Sequence, residues 1–363
     1  MEERVYKYWF YTIDYLGVEI SKKLIEKFHT PKAIFEMPME RLSGIQGISS
    51  KALKSIYNSR NSYKIQKEYE DMEKKQIRFF CLEDGEYPKR LKEIKDMPRT
   101  LFVRGELPKE EEKSVAVIGA RDCTNYGKNI ALEIGKALAE HGANVISGMA
   151  RGIDGYAQNG AANAGGKSYG VFGCGVDICY PKENYYLYQK LIETGGVISE
   201  YKPGVPARAR NFPMRNRIIS GLSDIIIVVE AKKRSGTSIT VAQALEQGKE
   251  VMAVPGRICD VLSEGCNYLI SQGAYPIYNI EEMLFDMGIS KEKNEKNNKN
   301  VNYTLASELK LVYACLDFVP KSVTQVAREL GGYNLEKLDE LLFDLEIEDR
   351  IEQVTTGYYV RKK

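Results

Sequence analysis

Histidine is nearly absent. The 363-residue chain has two, His29 and His141, both in segments with helical patterning. That scarcity argues against acid–base catalysis, a hydrolytic triad or a zinc site built on imidazole. No Cys-x-x-Cys pair occurs, and the cysteines, Cys81, Cys123, Cys174, Cys179, Cys259, Cys266 and Cys315, are odd in number. Neither a disulfide framework nor a zinc knuckle is expected, so no metal, and most of these thiols should be plainly buried. No apolar run approaches the roughly 18 residues that a membrane span needs. Residues 1–17 are too charged and aromatic for a signal peptide and lack a small-residue cleavage site, so a cytoplasmic location is the expectation. A large charge excess is also missing. With a net charge of +2, a polyanionic partner has to be read from where the basic residues sit.

What is present reads as globular. Hydrophobic residues make up 43% and charged residues 28%, a composition that supports a sizeable core, and the length suits two or three domains. Residues 288–302 are almost wholly polar, without periodicity, and read as a flexible linker to a module at 303–363. A softer break at 83–99, with two prolines, separates a helical module at 1–80 from a middle domain at 81–287.

The middle domain alternates short apolar runs with helical segments. Strands are expected at 115–118, 144–147, 169–172, 196–199, 225–229 and 251–254. Helices are expected at 129–141, 155–164, 185–193, 215–222 and 238–247. Such alternation implies a mainly parallel, doubly wound, Rossmann-like α/β sheet covered on both faces. In the N-terminal module, Gly44 and Gly47, each followed by Ile, suit a tight turn between two short helices. The turn resembles a helix-hairpin-helix DNA-binding element, but an ordinary interhelical turn is the favoured reading because such turns are common. The C-terminal module reads as helices at 308–318, 323–330 and 335–347, then a hairpin of 350–354 and 358–361, an order that resembles a winged helix. Its third helix carries Glu336, Asp339, Glu340, Asp344 and Glu346, which would repel phosphate and favour a protein-contact role.

In an open parallel sheet, ligands bind beyond the carboxyl ends of the strands. The five loops there carry Gly119, Ala120 and Arg121; Gly148, Arg151 and Gly152; Gly173, Gly175 and Lys182; Arg208, Arg210, Phe212, Arg215, Asn216 and Arg217; and Lys232 to Arg234 with Ser235, Gly236 and Thr237. Glycines let backbone amides approach an anion, and helix N-termini add partial positive charge. Cations spread over several strands suit an extended polyanion better than one small phosphate. Tyr126, Tyr180, Tyr201 and Phe212 interleave with them and could stack bases, although each alone is more readily explained by packing. Two nucleotide motifs fail. Ala161 stands where a P-loop ending at Gly166-Lys167-Ser168 needs its first glycine, and Ile178 stands where a dinucleotide fingerprint starting at Gly173 needs its last.

The loops form an ordered set: Val115 to Arg121, Ser147 to Asp154, Gly173 to Asp177 with Tyr180-Pro181, Phe212 to Leu222, Val228 to Ala231, Ser235 to Thr237, and Val254 to Gly256. That set resembles the DNA-processing protein A (DprA, or Smf) family over about 81–280. The resemblance implies a protein without enzymatic activity or cofactor. Such a protein binds and protects single-stranded DNA, self-associates as a homodimer and loads RecA recombinase onto the DNA in natural transformation. The family usually opens its first loop with Gly-Ser-Arg or Gly-Thr-Arg; here Ala120 removes the hydroxyl. Gln158 stands where the family usually has histidine, and Lys182 matches a basic position associated with DNA contact. A competing reading is a nucleotide-binding or nucleoside-monophosphate-hydrolysing Rossmann-like enzyme, with Asp154 and Glu230 as its carboxylates. For self-association, the segment 266–278 should lie at the sheet edge, with Leu269, Ile270 and Tyr275 as the contact residues.

Overall fold

The computed structural model describes residues 1–289 and 307–362, and most of the expected linker lies outside them. The chain divides into two compact units, Met1–Lys293 and Asn294–Lys363. The first begins with six helices, α1 (Glu3–Tyr11), α2 (Val18–Phe28), α3 (Pro31–Glu36), α4 (Met39–Ser43), α5 (Ser50–Ser59) and α6 (Ser62–Lys74). Strand β1 (Arg78–Cys81), the single turn α7 (Lys89–Lys92) and β2 (Thr100–Gly105) follow. Then comes the alternating series: β3 (Ser114–Ile118), α8 (Asn125–Glu140), β4 (Asn144–Ser147), α9 (Ile153–Asn163), β5 (Ser168–Phe172), α10 (Tyr185–Thr194), β6 (Gly196–Ser199), α11 (Asn211–Leu222), β7 (Ile225–Val228), α12 (Gly236–Glu246) and β8 (Glu250–Ala253). Helix α13 (Glu264–Ser271), the two-residue strand β9 (Tyr275–Pro276) and α14 (Ile280–Asp286) end the unit.

The strands form one sheet in the order β1-β2-β6-β5-β4-β3-β7-β8-β9. From β6 to β9 every neighbouring pair is parallel, and β2 joins β6 antiparallel. The apolar runs arise because both faces are covered. On β3, Val115 and Val117 pack into one core with Ile130 and Ile134 of α8, while Ala116 and Ile118 pack into another with Ile218 and Ile219 of α11. The chain moves outward from β3 through β4, β5 and β6, then crosses back to place β7 on the other side of β3. The topological switch point therefore lies between β3 and β7, where a doubly wound sheet opens a crevice.

The antiparallel hairpin of β1 and β2 is absent from the expected strands, because the prolines around it read as a break. It joins the N-terminal helices to the sheet. Val5, Trp9, Phe10 and Leu24 share one apolar cluster with Phe79, Phe102, Phe172 and Leu187. Arg99 completes the junction by donating to the carbonyls of Phe10 (2.9 Å) and Ile13 (3.1 Å), and burial lowers its pKa to about 10. The helical module expected at 1–80 thus has no core separate from the sheet. Its glycine-flanked turn lies between α4 and α5 as expected, with Ser49 capping α5 through the Ala52 amide at 3.1 Å.

The second unit contains α15 (Ser307–Cys315), β10 (Lys321–Ser322), α16 (Val323–Glu329), α17 (Leu335–Ile347), β11 (Ile351–Thr355) and β12 (Tyr358–Arg361). Its sheet order is β10-β12-β11, and the helix and strand succession is that of a winged helix. Its core is Val312, Leu316, Val326, Leu338, Leu342, Leu345 and Ile351. The thiols are less uniformly buried than expected: Cys81, Cys174 and Cys266 are buried, Cys259 is exposed and the others lie between.

Helices α8 and α9 touch backbone to backbone. A Cβ on Gly135 would stand 2.0 Å from the Ala157 carbonyl oxygen, and one on Gly160 would stand 2.2 Å from that of Leu132. In an exposed helix, Gly→Ala stabilises by about 0.8–1 kcal/mol. Here the sign reverses: Gly160→Ala is expected to lower the unfolding free energy by about 1–3 kcal/mol through overpacking. Equilibrium urea unfolding measures it, and a stabilised variant would refute the close approach.

Candidate functional site

An open cleft of about 960 Å³ lies at the carboxyl edge of the sheet, over the switch point. Its walls come from the loop after β3 (Gly119, Ala120, Arg121), from α11 (Phe212, Arg215, Asn216) and from the start of α12 (Ser235, Gly236, Thr237). Val261 and Leu262, between β8 and α13, close the side. Of the expected residues, Gly148, Arg151, Gly152, Lys182 and Arg217 are not part of this lining.

The cations divide into two kinds. Arg121 is exposed, and its side chain makes no ion pair or hydrogen bond among the described residues; its guanidinium lies 5.9 Å from the centre of the Phe212 ring. Neither Asp122 nor Asp154 holds it. Arg215, by contrast, is buried. It donates to the carbonyls of Gly148 (3.0 Å) and Val171 and to the Asn216 side chain (3.2 Å). Burial lowers Arg215 to about 10, with the Asp154 charge opposing the shift. Arg217 points away altogether. It forms a two-point ion pair with Glu200 (2.8 and 2.6 Å) and donates to the Asp96 carbonyl at 2.8 Å. Arg217 therefore does not join the cleft's cations, because every direction of its guanidinium faces inward partners.

The glycines also depart from the expectation that they open the backbone to a ligand. A Cβ on Gly119 would strike Ile153 at 2.7 Å, one on Gly148 would strike Arg215 at 2.5 Å, and one on Gly152 would strike the Ala120 carbonyl at 2.2 Å. These residues let the loops pack on each other. Gly152 also has φ +76, and the next amide, of Ile153, donates to Ala120 at 3.1 Å. Gly236 alone of the cleft glycines faces open space. It begins α12, whose start is held by the Ser238 hydroxyl, which accepts from the Ser235 amide at 3.3 Å, and a helix start carries partial positive charge.

Both carboxylates of the enzymatic reading are engaged in holding loops. Glu230 is buried at the end of β7 and accepts from the Thr124 amide (2.9 Å) and hydroxyl (2.5 Å). Gly127 is glycine because a Cβ would stand 2.4 Å from the Glu230 carboxyl carbon. Asp154 accepts from the Gly148 amide at 3.1 Å. Burial pushes its carboxyl up, against the Arg215 charge and hydrogen bonds from Ser147, Gly148 and Gly119 that pull it down. Gln158, in the family's histidine position, is fully buried and braces the second loop: it accepts from the Met149 amide (2.9 Å) and donates to the Tyr169 carbonyl (3.0 Å). Met149 takes a left-handed φ of +51 under that restraint.

The roles of Thr124 and Asn184 are not apparent from any motif. Asn184 donates to the carbonyls of Met149 (2.9 Å) and Ala150 (3.3 Å), fixing the exposed Lys182 and Arg151 to one rim. Thr124 had a visible signal in its place before a helical run. Among the described residues, no group of three or more His, Cys, Asp or Glu could hold a metal ion, and no helix is long and apolar enough to cross a membrane. At the sheet edge, Leu269 and Ile270 pack partly into the core, while Tyr275 on β9 is 58% exposed.

These features define a class: a doubly wound α/β protein with a cation-rimmed cleft at its switch point. The chain belongs to the DNA recombination-mediator protein A family, whose profile matches residues 78–288. It is 42% identical over 205 residues to the DNA processing protein DprA of Streptococcus pneumoniae, covering 56% of this chain and 72% of that one. It is 44% identical over 199 residues to Protein Smf of Escherichia coli, covering 54% and 53%. The crystal structure of the S. pneumoniae protein matches with a TM-score of 0.68 at 33% identity, over 79% of this chain and 99% of that one. The Helicobacter pylori DNA processing protein A, a structure that concerns a single-stranded DNA binding mode, matches with a TM-score of 0.52 at 29% identity, over 58% and 95%.

The two arginines of the cleft should behave oppositely. Arg215→Ala leaves Asp154 buried without its counter-charge and is expected to lower the unfolding free energy by about 3–5 kcal/mol. Arg121→Ala, on an exposed loop, should stay within about 0.5 kcal/mol of the wild type. Paired thermal melts check this, and equal destabilisation would contradict the division.

Proposed function

We propose that this protein binds single-stranded DNA in the cleft between β3 and β7, protects it, and delivers RecA recombinase onto it, acting as a homodimer without catalysing a reaction. The observation that carries the reading is Arg121: an exposed, unpaired guanidinium beside the Phe212 ring and across the cleft from the start of α12. A planar fork donates two hydrogen bonds to phosphate, and the neighbouring ring offers a face to a base. Ala120 takes a hydroxyl away from this loop, so the arginine and backbone amides carry the contact. The sequence and structural likeness to DNA-processing proteins supports DNA as the ligand, and the family's description as a recombination mediator supports RecA as the recipient. The engagement of Asp154 and Glu230 in loop packing disfavours hydrolysis of a nucleotide.

Arg121→Ala should lose about 1.5–3 kcal/mol of affinity for oligothymidine, the magnitude of a charge-assisted contact. Arg121→Lys should recover only part of that loss. Affinity should fall with salt at a log–log slope of about −0.7 per neutralised phosphate. Fluorescence anisotropy reads all three. Unchanged affinity in Arg121→Ala, a flat salt response or turnover of a mononucleotide would each refute the assignment.

For self-association, β9 pairs with β8 through Tyr275 and Pro276 and leaves its outer side unpaired, with Tyr268 and Tyr278 exposed nearby. Leu269 is a poor probe because it packs partly into the core. Tyr275→Glu should give a folded monomer by light scattering; a wild-type oligomer, or a wild type already monomeric, would count against this edge.

A further inference from the structure

The strip leading from the cleft over the start of α10 carries a concentration of tyrosines that stay largely exposed. Tyr180 lines the cleft, and its ring lies 5.4 Å from that of Phe212. The chain then turns through Lys182 into the first turn of α10, where Tyr185 and Tyr186 are 55% and 66% exposed. Their neighbour Tyr188 faces inward, buried against Phe172 with ring centres 6.0 Å apart; the Tyr185 ring leans on Tyr188 at 6.1 Å and keeps more than half of its surface exposed, as Tyr186 does. Lys190, one turn on, places its ammonium 4.9 Å from the centre of the Tyr186 ring and donates to Asn163 at 2.6 Å. Among the described residues the Tyr185 hydroxyl accepts from Gln189 of its own helix, at 3.3 Å.

Two features make this strip continuous with the cleft. The first turn of α10 stands on the carboxyl edge of the sheet, because the loop that enters it leaves the end of β5. Asn184 pins that loop to the carbonyls after β4, holding Arg151 and Lys182 on the same rim. The result alternates aromatic faces with cations, the pattern that tracks a flexible polyanion: phosphates meet the charges and bases meet the rings.

Resting on the reading of the cleft as a single-stranded DNA site, we infer that Tyr185 and Tyr186, with Lys190, form a second stacking contact for the stretch of the same strand that has left the cleft. Its ligand is single-stranded nucleic acid long enough to occupy both places. A strand confined to the cleft does not reach it, so the contribution depends on oligomer length.

The test compares two labelled oligothymidines, of roughly five and roughly twenty nucleotides, bound to the full chain and followed by fluorescence anisotropy. The double variant Tyr185→Ser, Tyr186→Ser should weaken the longer oligomer by on the order of tenfold or more and leave the shorter one unchanged. The double variant Tyr185→Phe, Tyr186→Phe keeps both ring faces and should bind both oligomers as the wild type does; because it conserves shape, it also separates a lost contact from misfolding. Equal weakening of both oligomers by the serine pair, no effect on the longer one, or a loss in the phenylalanine pair would each overturn the inference. Arg121→Ala reports separately on the cleft. If it binds both oligomers like the wild type, the cleft assignment itself fails; if it weakens both while the serine pair weakens neither, only the second contact fails.

Discussion

A buried guanidinium must find acceptors, and in a parallel sheet the carbonyls at the carboxyl ends of the strands are available to it. Arg215 uses them. Reaching down from α11, it binds the carbonyls of Gly148 and Val171, at the ends of β4 and β5, with the buried Asp154 as its counter-charge. Asp154 in turn takes the Gly148 amide, so the two peptide groups that flank the Gly148 α-carbon are each held, one through its N–H and the other through its carbonyl. Gly148 has no room for a side chain because the guanidinium fills the space. The floor of the cleft is thereby held by the protein's own contacts, while the outward-facing Arg121 takes no part in holding it.

Much of the doubly wound core is legible in the sequence, and for a physical reason. Strands buried on both faces must be apolar at successive positions, so β3 to β8 appear as uninterrupted runs such as Val115 to Ile118 and Ile225 to Val228. The hairpin of β1 and β2 is not legible, because its partner contacts come from helices far away in sequence: Phe79 and Phe102 are apolar on account of Tyr8 and Trp9, not of their immediate neighbours. For the same reason the aromatic first helix can be read as a helix but not as a cover for the sheet's edge.

The cleft was legible as a place but not residue by residue. Arg121, Arg215 and Arg217 look alike in a sequence, and what separates them is helix phase. Arg215 and Arg217 sit within α11, on turns that bring Ile218 and Ile219 into the core, so their side chains run inward to carbonyls and to Glu200. Arg121 stands on a loop before α8, where no carboxylate among the described residues pairs with it, although Asp122 lines the same cleft. Glycine is ambiguous in the same way. It signals a close approach, and at Gly119 and Gly152 the approaching group is the protein's own backbone or an isoleucine, whereas at Gly236 the space stays open.

The contact between α8 and α9 has a mechanical consequence. With a carbonyl oxygen of one helix seated against the bare α-carbon of the other at two levels, Gly135 and Gly160, neither helix can slide or rotate without collision. The pair moves as a single plate. The loops entering the two helices, those of Arg121 and Arg151, ride on that plate and keep a fixed separation. A ligand that spans both loops would meet them at that one spacing, as against a rigid ruler.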